Sequence, residues 1–205
     1  MTHTLHRTGN IEDLCEDYVV LLLQARGFNR EGNEHKMGQV WEIFSRHEAD
    51  IVNFGTPVEG NSSTNSMNDL KKTTTAMAHA VFIDREKLKD CLRELKEKDL
   101  GVSVVVSGIF GDTAKVCSEL GLSPHTVHHS LGIHGRVDKL PEDNILEITT
   151  MCGHALVSPN LINHLIKKIG EGKLSHKEAA KRHWPDQAKL SICNYYHSKS
   201  TRFEV

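Results

Sequence analysis

Apolar positions along the chain repeat at two spacings, and each spacing marks an element. Ile11, Leu14, Cys15, Tyr18, Val19 and Leu22 recur at helical intervals behind Asn10, which has Asp13 three residues on. That pattern predicts a capped first helix, stopped by Gly27. A polar loop is expected over 29–38. Val40, Ile43, Phe44 and His47 then make the inner face of a second helix. Residues 50–54 read as a short strand. The next stretch, 55–75, is rich in Asn, Ser, Thr and Gly and has no apolar period. A connection of that length is expected to be a flexible loop or a lid.

The clearest architecture follows. Residues 76–83 read as a buried strand. Asp84 caps a helix over 85–98 with Leu88, Cys91, Leu92 and Leu95 facing inward, and Gly101 ends it. Residues 102–106, Val-Ser-Val-Val-Val, are a second strand. A right-handed crossover makes the two strands parallel. The unit fits a doubly wound sheet or half of a ferredoxin-like sandwich, and pattern alone does not separate them. Asp112 opens a short helix that Gly121 ends, and a strand is expected over 126–133. Residues 141–154 have mixed periodicity. Ser158-Pro159 starts a helix with the stripe Leu161, Ile162, Leu165, Ile166 and Ile169. Ser175 and Glu178 form a capping box for a last helix ending near His183, and 191–205 is an irregular tail. The expected fold is therefore α/β (or α+β): one domain over 1–205, with a β-α-β core flanked by N-terminal and C-terminal helices.

Composition narrows the function classes. With 205 residues, 38% hydrophobic and 25% charged, the chain can bury a core without staples. The longest apolar runs are too short to cross a bilayer. The first residues lack the apolar core of a signal peptide. Five scattered cysteines without such a peptide point to a reducing cytoplasm rather than a disulfide framework. A net charge of −2 offers no electrostatic case for nucleic acid. The unusual count is 14 histidines, whose protonation would carry the charge from −2 to +12. Most are expected on the surface, where they confer pH sensitivity.

Chemistry concentrates between His125 and His154. On a strand, His128 and His134 would share one face and His129 the other. Neutral imidazoles suit zinc or iron, or acid–base work. Cys152-Gly153-His154 places two soft ligands around a glycine inside an apolar segment, a local conflict of the kind found at sites. Cys152 and His154 are the expected centre of a metal site, with His128, His129 and Cys193 as further ligands. A divalent zinc or iron ion is expected, and an iron–sulfur cluster is compatible although the usual four-thiolate spacing is absent. Thr149 and Thr150 offer hydroxyls to an oxyanion. Ser107, Gly108 and Gly111 form a tight turn between a strand and a helix, where α/β proteins bind small ligands. Lys72 can meet an anion from the 55–75 stretch. His79, alone in an apolar strand, lies one layer from Ser107 if the two strands of the central unit are neighbours, and is then the expected general base. A Ser–His–Asp hydrolase using Ser107 and Asp84 lacks the nucleophile elbow and is disfavoured.

These features point first to an enzyme, a lyase or hydrolase, acting on a small polar or anionic metabolite at a His/Cys metal centre. The alternatives are a metal-free enzyme with Cys152 as nucleophile and a non-catalytic, pH-responsive binding domain. The expected partners are the small molecule and further copies of the chain, without nucleic acid or membrane.

Overall fold

The sheet is organised around β1 (Tyr18–Leu23), which pairs antiparallel with β4 (Met77–Phe82) on one side and β5 (Ser103–Ser107) on the other. The structure is a computed structural model, and it describes residues 7–62, 64–151 and 157–183. β2 (Ile51–Thr56) pairs antiparallel with β4, and β3 (Gly60–Asn61) with β2. Among the described residues the strand order is β3-β2-β4-β1-β5. β4 and β5 flank β1, so they run parallel to each other without touching. The helix between them, α4 (Arg85–Lys98), makes a split crossover. β1 and β2 are likewise parallel, separated by β4 and joined through α2 (His35–Arg46). Two interleaved split β-α-β units are the ferredoxin-like topology, and the doubly wound alternative falls.

Central strands with helices on both faces are continuously apolar. Tyr-Val-Val-Leu-Leu-Leu in β1 is such a run. Its Val20 and Leu22 join Ala78, Ala80 and Phe82 under α2 and α4. Trp41 anchors that layer, edge-on to Phe44 at 5.5 Å and to Phe54 at 6.2 Å. The opposite face carries Val81, covered by α6 (Asp143–Thr149) and α7 (Pro159–Gly170) through Ile145, Ile148 and Ile162. α8 (His176–His183) follows, opened by the expected Ser175–Glu178 box. Among the described residues, no helix is long and apolar enough to cross a membrane.

Three expected elements take other forms. The first helix is only α1 (Ile11–Leu14), with Asn10 Oδ1 accepting from the Asp13 amide at 2.8 Å. Its helical spacing through Leu22 was a coincidence within a strand buried on both faces, whose β-branched and aromatic residues suit the sheet. The strand expected over 126–133 does not form, and those residues are exposed without ladder bonds. Thr126, His128, His129 and Ser130 leave no continuous apolar face to bury against the sheet. The aperiodic stretch 55–75 contains β3 and α3 (Met67–Leu70), whose Met67 and Leu70 are buried. The Glu59 carboxylate ties its ends together, accepting from the hydroxyls of Thr56, Thr73 and Thr75, the last at 2.7 and 2.8 Å. The remaining helix, α5 (Phe110–Glu119), begins just before the expected Asp112.

Candidate functional site around His79

Strand register sets His79 and Asn53 side by side among the polar side chains of the sheet face beneath α6. One row across it reads Val105, Leu21, His79, Gly55 and Asn61. The next row carries Ser107, Val19, Val81 and Asn53. A bulge between Ile51 and Asn53 sets two β2 residues against Val81 and turns Asn53 to this face. His79 and Asn53 are therefore diagonal neighbours across β4 and β2, within reach of long side chains.

His79 is 3% exposed. Burial pushes its imidazolium down to about 4, only partly opposed by a hydrogen bond with the backbone of Gly55. The ring is thus neutral at neutral pH. A bond that favours the protonated ring is one made to a carbonyl, so one ring N–H donates to Gly55. That leaves a lone pair on Nε2, which has no partner. Asn53 is 1% exposed, and its Oδ1 accepts from Ser62 Oγ at 2.7 Å and from the Phe54 amide at 2.9 Å. Its Nδ2 has no partner. One buried acceptor and one buried donor thus stand unpaired on the same face. Each costs roughly 1–3 kcal/mol unless something pairs with it. Trp41 Nε1 and Gln24 Oε1 are also unpartnered, but Trp41 lies in the opposite layer and Gln24 beyond the end of β1.

The other candidate residues are placed as follows. Thr149 and Thr150 end α6, and their hydroxyls donate back to the Leu146 carbonyl at 3.4 and 2.6 Å. Thr150 Oγ1 also accepts from the Thr8 amide at 2.9 Å. Met151 is buried in the cluster that holds Val81, two residues from His79 on the same strand face. Cys152, His154 and Cys193 lie outside the described residues. Ser107 lies at the end of β5, two strands from His79 and one row away. The neighbour relation expected between them fails because β1 intervenes. Gly108 is packed closely, since a Cβ there would lie 2.9 Å from Thr113 Cγ2. Gly111, in the first turn of α5, has open space around it. Asp112 in that same turn puts a carboxylate at the positive end of the helix. It accepts from the Tyr18 hydroxyl and from Arg85 Nε at 3.2 Å. Lys72 is exposed in the turn after α3, and His128 and His129 are exposed in the irregular stretch after α5. Among the described residues, no three His, Cys, Asp or Glu side chains gather as a metal-binding group.

Asn53 is the site residue that pattern reading missed. Its signal is an asparagine inside the apolar strand Ile51-Val52-Asn53-Phe54, a residue type depleted from strands. Compared with protein-family models, curated proteins and solved structures, the chain has no match in any of the three, so its own residues carry the reading of the site.

Proposed function

We propose that the sheet face beneath α6 binds a small polar molecule, with His79 as its proton acceptor and Asn53 as its donor. The observation that supports this is the pair of buried, unpaired groups, Nε2 of His79 and Nδ2 of Asn53. A neutral imidazole held by a carbonyl on one nitrogen is prepared to take a proton on the other. Asn53 Nδ2 would hold or polarise an oxygen of the same molecule. Proton abstraction of this kind is compatible with the lyase or hydrolase that the sequence suggests.

The sequence suggests a zinc or iron ion for this site, held by Cys152 and His154. Met151, one residue before Cys152, supports the reading because it packs on the His79 side of the sheet. His128, His129 and Cys193 are further candidate ligands, and an iron–sulfur cluster stays within the proposal. A bound metal would polarise the substrate oxygen or activate water. Cys15, Cys91 and Cys117 are free thiols, which supports a reducing compartment such as the cytoplasm.

The test is a thermal-shift screen of small amides, carboxylic acids and alcohols against the protein and its His79→Phe and Asn53→Leu variants. Compounds that stabilise the protein and lose that effect in both variants support the proposal. If every stabilising compound acts equally on the variants, or none is found, the site reading falls. Elemental analysis of anaerobically prepared protein tests the metal separately. Stoichiometric zinc or iron, lost in Cys152→Ser, is expected; its absence removes the metal from the proposal.

A further inference from the structure

The two edges of the sheet are finished differently. β3 is two residues long, Gly60-Asn61, and presents almost no open ladder. β5 is five residues long, Ser103-Val104-Val105-Val106-Ser107, with no charge, no proline and no glycine. Among the described residues only β1 pairs with it, and all five of its side chains keep some exposure, Val104 40%. Natural edge strands are normally blunted by lysine, proline or a bulge, and an uncharged open edge pairs with another strand.

Beside that edge lies a largely apolar cavity of about 210 Å³, lined by Leu92, Leu95, Val104 and Leu122 together with the charged Lys96 and Asp99. From Leu122 the chain leaves as a long exposed stretch, 123–140, whose only helical turn is a single one at Val137–Lys139. Val127, Leu131 and Ile133 project from it into solvent, Leu131 at 81% exposure. The molecule therefore carries an open uncharged edge, a largely apolar cavity next to it, and an exposed arm bearing Val127, Leu131 and Ile133 that starts at the cavity's rim.

We propose that a second copy of this chain covers this surface: the two β5 edges pair antiparallel about a two-fold axis, and each arm lies over the Val104 cavity of the other copy. A two-fold contact brings the same surface to both sides, so a self-paired edge must not repel itself. An uncharged strand meets that condition. Antiparallel pairing sets the Leu122 end of one copy against the Ser107 end of the other, and an extended arm that gains roughly 3.3 Å per residue is long enough to reach the partner's cavity. An interface of ordinary size uses about 20–30 residues a side, and the arm together with β5 falls in that range. An unrelated strand or peptide would satisfy the edge alone and leave the arm unused.

Sedimentation equilibrium of the full chain, with hydrogen exchange, tests the proposal. Twice the 23.0 kDa chain mass is expected, with protection of the β5 amides that point away from β1 rising with protein concentration. Val104→Lys and Leu131→Asp should each raise the dimer dissociation constant at least ~10-fold, with an unchanged circular dichroism spectrum. Leu131 packs into no core, so that variant remains decisive if Val104→Lys unfolds. A monomer at ~100 μM, where an interface of this size is populated, overturns the proposal. So does a dimer that Leu131→Asp leaves intact, or protection in the monomer of the β5 amides that point away from β1.

Discussion

Gly55 stands directly opposite His79 across the β2–β4 pair, and a Cβ on Gly55 would lie 2.4 Å from the Gly60 carbonyl oxygen. The β2–β3 hairpin can close only because that position has no side chain. The same backbone holds the imidazole of His79. Gly55→Ala is expected to destabilise the fold by about 1–3 kcal/mol, the usual penalty for overpacking. Urea denaturation measures it; a change within error would mean that the hairpin relaxes freely.

His79 makes stability depend on pH with a definite sign. Its folded value is about 4 against an ordinary 6.5, so the unfolded chain binds the proton first. Above pH 6.5 the ring is neutral in both states and the effect vanishes. As pH falls from 6.5 to 4 the folded state loses about 3 kcal/mol through this residue. The rest of the chain is common to the parent and a His79→Gln variant, so their difference isolates this residue. Denaturation between pH 7 and 4 should therefore show a shallower loss in the variant, and equal slopes would contradict the neutral buried ring.

Arg7 Nη1 reaches Asp17 Oδ1 at 2.9 Å and Oδ2 at 3.2 Å, with side-chain exposures of 7% and 0%. A buried pair costs most when one partner is removed and the other charge is stranded. Asp17→Ala should lower stability by about 3–5 kcal/mol, and replacing both residues by apolar ones should cost less. A double-mutant cycle read by denaturation decides between a coupled pair and two independent contacts.

Glu59 is held below the usual carboxylate range by hydroxyl bonds from Thr56, Thr73 and Thr75, although burial pulls the other way. It ties the 55–75 stretch without touching the main core. Glu59→Ala should speed limited proteolysis within that stretch while global stability falls by only about 1 kcal/mol. Cleavage rates equal to the parent's would show that β3 and α3 hold themselves.

How much was legible follows from how local each signal was. Asp84 caps α4 through the Glu86 and Lys87 amides at 2.8 and 3.1 Å, and a cap is written in adjacent residues. Leu88, Cys91, Leu92 and Leu95 were all readable as the inner face because a helix has one period. The first strand was not readable. Its six apolar residues satisfy a helical template and a doubly buried strand equally well, and only its neighbours β4 and β5 decide. His79 was visible as a histidine out of place, whereas Asn53 needed the bulge that turns it to the same face.

The sequence by itself determined the element types wherever capping and period agree: α4, the strands on either side of it, α7 and the Ser175–Glu178 start of α8. It also marked His79 as unusual. Tertiary structure alone decided that β1 inserts between β4 and β5, that His79 lies away from Ser107, and that it shares a face with Asn53. Strand order and face depend on contacts between residues dozens of positions apart. No local preference records them, because pairing is chosen by the whole sheet at once.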